Sequence, residues 1–218
     1  MRPAGIILAL ALAAGLPARG LILLDPGHGG ADAGVQADGF KESEFSLDLA
    51  QRMVPLLQAR GLDVQLTRDA DTDLSPSARV ALANSLQPLA LVSLHANAAF
   101  QATAHGTRIF VPAEGPVDEP AAPLWQQASR LKAASSKSLG MGLARALGVT
   151  GPRPVQSLKL AIFRGLSVPG CLVECEFASE TEGLAFLKDP EKRDSLAKHL
   201  ADGIANWALG GAGAGHAQ

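Results

Sequence analysis

Three apolar runs in this chain stop at residues able to bind a metal or move a proton. Leu21-Ile-Leu-Leu-Asp-Pro-Gly-His-Gly-Gly30 ends in a glycine-flanked His28, Leu89-Ala-Leu-Val-Ser-Leu-His-Ala-Asn97 releases His95, and Pro169-Gly-Cys-Leu-Val-Glu174 presents Glu174. An apolar run broken by Asp25-Pro26-Gly27 reads as an inner strand, and open α/β sheets carry their chemistry at the carboxyl ends of such strands. His28, Glu42 and His95 together make a two-histidine, one-carboxylate set, the kind that holds a catalytic zinc and leaves a position for water. Their spacings of 14 and 53 residues are too long for a local zinc motif. Plainer readings therefore stand beside it: His28 as a turn residue among glycines, and Glu42 as an acid favoured by the dipole at a helix start.

Helices must connect these strands. Phe45, Leu49, Met53, Leu56 and Leu57 recur at helical spacing from Glu42 onward, with Ser43 as the expected N-cap and Pro55 expected to bend the helix. Leu62 to Arg68 alternates as a half-exposed strand, and Ser77 to Leu86 reads as a helix before the strand that ends at His95. Thr107 to Val111 forms a further strand. A Pro/Ala/Glu-rich connection over 112–124 leads into a helix from about Trp125 to Leu147, and a last helix over Pro190–Leu209 buries Leu196, Leu200, Ile204 and Trp207. Strands alternating with helices in this way predict an α/β fold, a three-layer sandwich with a mostly parallel twisted sheet.

With 218 residues, 47% hydrophobic and 18% charged, the chain is sized for one well-buried core. Residues 1–18 have one basic residue, an apolar stretch and Pro17-Ala18, the outline of a secretory signal peptide. That stretch is short for a membrane span, so no stable span is expected once it is cleaved, and the mature protein is expected to be periplasmic or secreted. Its removal leaves 18 basic and 21 acidic residues, a charge of −3, which is no surface for nucleic acid. Cys171 and Cys175 lie on one predicted strand, about 13 Å apart, and are expected as free, packed thiols. Residues 210–218 read as a flexible tail.

The motifs together resemble the zinc-dependent N-acetylmuramoyl-L-alanine amidase family of bacterial cell-wall hydrolases. The likeness rests on Leu24-Asp-Pro-Gly-His-Gly-Gly30, Phe40-Lys-Glu-Ser-Glu-Phe45, Thr67-Arg-Asp69 with Arg79 and Ala83-Asn84, Ser93-Leu-His-Ala-Asn97 and Pro169-Gly-Cys-Leu-Val-Glu174. It implies a catalytic domain over 19–209 with one Zn2+ per chain on His28, Glu42 and His95, and Glu174 as the catalytic carboxylate. The implied reaction is hydrolysis of the amide between N-acetylmuramic acid and L-alanine in peptidoglycan. Some members of the family have a regulatory segment in the 112–124 region, lifted by an activator protein; here the insertion is short for an occluding helix.

Two positions depart from the family pattern: Glu176 and Glu180 stand where glycine and asparagine are usual. Glu176 has the strand parity of Glu174, so on a regular strand it would share a face with it and raise its pKa by like-charge repulsion, or itself serve as the catalytic group. These acids are also what speaks for a second reading, a catalytically silent peptidoglycan-binding or regulatory protein. A Rossmann-like nucleotide site is disfavoured, since no helix opens directly after Gly27–Gly34. His105, His199 and His216 read as surface histidines, Asn97 as a substrate contact or a turn cap, and Arg68 and Arg79 as structural partners of Asp69 or Asp71.

Overall fold

The computed structural model describes residues 20–98, 105–113, 132–151 and 153–210. The expected signal segment over 1–18, the expected tail beyond Gly210, the connection over 114–131 and the expected start of the middle helix at Trp125 lie outside the described residues. Strand β1 (Leu21–Pro26) leads through a two-strand hairpin, β2 (Gln36–Ala37) and β3 (Phe40–Lys41), into helix α1 (Glu42–Ala59). Then come β4 (Asp63–Leu66), α2 (Pro76–Leu86), β5 (Ala90–Asn97) and β6 (Arg108–Pro112). The order continues with α3 (Ala133–Ala146), β7 (Gln156–Leu158), a 3-10 turn at Ala161–Phe163, β8 (Gly170–Phe177), α4 (Thr181–Lys188) and α5 (Pro190–Leu209).

The six-stranded sheet has the order β4-β1-β5-β8-β6-β7. The first four strands are mutually parallel, while β6 pairs antiparallel with β8 and parallel with β7. The fold is the expected three-layer α/β sandwich. Ile22, Leu24, Val92, Leu94 and Val173 pack on one face against α1, α3 and α5, while Leu23, Leu91 and Leu172 pack on the other against α2 and the 3-10 turn. Alternation along the strands produces this division. It also assigns Asp25, Ser93, His95 and Glu174, which have the same parity as Leu23, Leu91 and Leu172, to the α2 face.

Local sequence explains the element ends. The stripe Phe45, Leu49, Met53 and Leu57 is fully buried, and α1 runs through the exposed Pro55 without a break. Ser43 is not its cap. Lys41 occupies that position without a side-chain bond, and the N–H groups of Glu42 and Ser43 donate instead to the carbonyls of Val35 and Ala33. The loop before the helix thus satisfies donors that a cap would otherwise take. Helix α2 begins at Ser75, whose hydroxyl accepts from Ala78 N–H, followed by Pro76 in the first turn. Cys171 and Cys175 are free and buried, as expected.

Candidate metal centre

Because Pro26 pairs with Leu94 in the parallel register, the ends of β1 and β5 are level, and His28 emerges beside His95. Their rings meet edge-on with centroids 4.9 Å apart. Glu42 is delivered by a different route, as the first residue of α1, buried at 2% exposure. Its Oε1 lies 2.8 Å from His95 Nδ1 and 3.1 Å from His28 Nε2. Oε1 also accepts from Ala96 N–H, while Oε2 accepts from Val35 N–H at 2.9 Å. One donor atom from each of His28, Glu42 and His95 falls within 4.8 Å of the others.

Glu42 and His28 perturb one another as a close ion pair does. Burial pushes the Glu42 carboxyl up, yet the bonds from His28 and His95 prevail and hold it down at about 2. The Glu42 carboxylate in turn raises His28 to about 9, helped by Asp32, whose Oδ2 is 2.8 Å from His28 Nδ1. Asp32 thereby fixes the ring with Nε2 turned toward Glu42, the arrangement in which a carboxylate orients a metal-binding imidazole.

The surroundings leave room for donors and little else. A side chain at Gly27 would strike the His95 ring, and one at Gly34 would meet Glu42 Oε2 and the His28 ring. His28 itself has φ 57°, a left-handed conformation uncommon for a non-glycine residue. A cleft of about 110 Å³ opens beside His28 and His95 and is lined also by Asp32, Asp73 and Leu74. Two nitrogens and a carboxylate oxygen converging beneath a cleft match the donor chemistry of a zinc site with an open position, so the residues present fit the metal that the sequence resemblance implies.

Glu174 is the register partner of His95 on the adjoining strand β8. Its Oε2 is buried and has no hydrogen-bond partner. Burial lifts the carboxyl to about 7 against the pull of His95, and the Glu42 charge adds to the rise. Glu176 does not contribute. Between the pairs His95/Glu174 and Asn97/Phe177 the register slips by one residue, so Phe177, rather than Glu176, returns to the face of Glu174. Glu176 accepts from Gly106 N–H at 2.5 Å and Phe177 N–H at 3.0 Å and lines a groove with Thr107, Arg108 and His199. The expectation of shared parity assumed a regular strand, and the bulge removes it. Glu180 likewise has a structural task, accepting from Glu182 N–H and Gly183 N–H as the N-cap of α4.

Two arginines hold the His28 turn, though not through Asp69 or Asp71. Arg79 pairs with Asp25 at 2.6 Å, both nearly fully buried, and donates to the carbonyls of Pro26, His28 and Leu74. Arg68 donates to the carbonyls of Pro26, Gly27, Ser43 and Ala70. Asp25 also accepts from Thr67 and Ser93 hydroxyls, each at 2.6 Å. Sequence reasoning missed Asp25 and Asp32. An acid ending an apolar strand, and an acid four residues beyond a histidine, were the available signals.

Comparison with known proteins agrees with this geometry. A family model described as N-acetylmuramoyl-L-alanine amidase matches residues 22–206. N-acetylmuramoyl-L-alanine amidase LytC of Bacillus subtilis is 30% identical over 190 residues, spanning 85% of this chain and 35% of that protein. The germination-specific N-acetylmuramoyl-L-alanine amidase of the same organism is 28% identical over 207 residues, spanning 88% of this chain and 81% of the other. The catalytic domain of CwlV, an N-acetylmuramoyl-L-alanine amidase from Paenibacillus polymyxa, superposes with a TM-score of 0.72 at 26% identity, covering 87% of this chain and 98% of that domain. The chain therefore spans about a third of one curated relative and about four-fifths of the other, and it belongs to the N-acetylmuramoyl-L-alanine amidase family.

Proposed function

We propose that this chain is a zinc-dependent hydrolase of the amide joining N-acetylmuramic acid to L-alanine in peptidoglycan. The observation that carries the reading is the convergence of His28, Glu42 and His95 with an unpartnered buried carboxylate oxygen on the neighbouring strand. In this reading His28, through Nε2, Glu42 and His95 hold one zinc ion. Zinc bound there supplies Lewis acidity, making water a better nucleophile near neutral pH and polarising the amide carbonyl.

The remaining work belongs to the protein. Glu174 Oε2 takes a proton from the attacking water and passes it to the nitrogen of L-alanine, so that nitrogen leaves as a neutral amine. An acid lifted to about 7 exchanges a proton readily at the pH where the wall is remodelled. Asp32 keeps the His28 ring in its productive orientation, and Arg79 and Arg68 hold the turn that presents it. Glu176 and Glu180, the acids that spoke for a silent binding protein, each accept from backbone donors as structural groups, which supports the hydrolase reading.

The chain is further proposed to act outside the cytoplasm, with residues 1–18 as a cleaved signal. Among the described residues no helix is long and apolar enough to cross a membrane. Control by an activator through the 112–124 segment is a subsidiary proposal, as nearly all of that segment lies outside the described residues.

Digestion of purified sacculi tests the reaction. Mass spectrometry is expected to find peptides with a free N-terminal alanine and glycan with a free lactyl carboxylate, both lost on chelation and regained with zinc. Glu174→Gln is expected to retain metal and lose at least about a hundredfold in rate. Cleavage at any other bond, or full activity of that variant, would overturn the assignment.

A further inference from the structure

Strand β6 brings a cation to the same face as Glu174. Arg108 is the antiparallel register partner of Glu174, as Ile109 is of Val173 and Phe110 of Leu172. Partnered residues in an antiparallel ladder point to one side, with Cα atoms about 5 Å apart. The neighbouring pairs bear this out: Ile109 and Val173 pack in the α1 core, Phe110 and Leu172 against α2. Arg108 therefore lies on the α2 face, and its guanidinium sits 5.5 Å above the Phe177 ring. The bulge that turns Glu176 away is what returns Phe177 to this face as the platform.

Arg108 is only partly buried and, among the described residues, forms no ion pair with any carboxylate. Its Nη1 donates at 3.4 and 3.2 Å to the carbonyls of Gly106 and Thr107, bonds that steer the side chain, and its other N–H groups have no hydrogen-bond partner among the described residues. A guanidinium held on an aromatic ring and steered by backbone carbonyls at one end is suited to bidentate capture of a carboxylate at the other.

Resting on the amidase reading, we infer that Arg108 is a specificity-determining residue that binds a free carboxylate on the departing peptide, one residue beyond its alanine. The side of the scissile bond follows from Glu174. The group that protonates the leaving nitrogen lies next to the leaving peptide, and Arg108 is one strand further out on that side. The zinc ligands lie on the opposite side of Glu174, toward β5 and β1. Arg108 thus meets the peptide rather than the sugar.

The test compares N-acetylmuramoyl-L-alanyl-D-glutamate, whose second residue has a free α-carboxylate, with its D-isoglutamine counterpart, in which that group is amidated. Wild-type enzyme loaded with zinc is expected to favour the free acid by roughly tenfold or more in kcat/KM, mostly through KM. Arg108→Gln is expected to bring the ratio close to one, and Arg108→Lys to restore part of it. Calorimetry on the released dipeptides gives a second readout independent of turnover, with L-alanyl-D-glutamate losing affinity in Arg108→Gln and L-alanyl-D-isoglutamine unaffected by it. A wild-type ratio near one, or a preference that survives Arg108→Gln, overturns the inference while leaving the amidase reading intact. Failure of wild type to cleave either compound removes both.

Discussion

His28 adopts its left-handed backbone conformation because everything around it is satisfied there. Its carbonyl accepts from Arg79, its Nδ1 is held by Asp32 and its Nε2 faces Glu42. Strain of this kind persists where neighbours over-determine the geometry. With His28 raised to about 9, the metal-free protein keeps that imidazole protonated at neutral pH, and a metal must displace the proton. Apparent zinc affinity is therefore expected to climb with pH and level off above about 9, which competition against a chromogenic chelator at several pH values would measure. Asp32→Asn is expected to weaken binding by roughly ten- to a hundredfold, since the ring loses the carboxylate that orients it. An affinity flat with pH would show that His28 does not bind the ion through Nε2.

At the scale of elements, β1 and α2 are joined by a buried ion pair rather than by apolar contact alone. Removing one partner of such a pair leaves the other charge uncompensated in the interior, at a cost of about 3–5 kcal/mol. Arg79→Met is expected to destabilise by that amount in a denaturant titration, and Asp25→Asn by a comparable one, with metal affinity falling in both as the turn loosens. Ser75→Ala, which removes only the α2 cap, should cost about 1 kcal/mol and leave the metal untouched. Much of this level was legible in the residues: apolar runs gave β1, β5 and β8, and helical spacing gave the stripes of α1 and α5. The one-residue slip in β8 was not, because alternation in sequence carries no mark of where pairing shifts. The partners of Arg68 and Arg79 were hidden for a related reason. Nearby acids compete in sequence with distant ones, and only the sheet brings Asp25 to Arg79.

Across the whole molecule, α1, which starts at the metal centre with Glu42, is tied along its length to α5 by ion pairs: Asp48 with Arg193, Arg52 with Asp194, and Arg60 with Asp202. Despite the burial that opposes it, the bonds from Arg52 and Arg193 keep Asp48 below the usual carboxylate range, and Lys198 and Arg60 do the same for Asp202. Folded-state values below the unfolded ones mean that this stabilisation is fully present above the ordinary carboxylate pKa and is lost as pH falls through the lowered values. Thermal unfolding of the metal-free protein is expected to show a midpoint that drops below about pH 4, less steeply in Asp48→Asn. Each pair is partly open to water, so the effect should shrink in high salt. A variant with an unchanged acid profile would remove Asp48 from this account.

The slip at Glu176 also governs how the protein tolerates changes of length. Residues before it and after it belong to two opposite phases of the same ribbon, reconciled by a single supernumerary position. Excising that position would not merely trim a loop. It would heal the ladder and let Phe177 follow Cys175 directly, still opposite Asn97 and beneath Arg108, whereas excising a residue elsewhere between Gly170 and Cys175 would move the strand's register against β5 and turn side chains to the other face. In this chain a single extra residue in one strand decides which side chain the rim of the sheet presents beside Glu174.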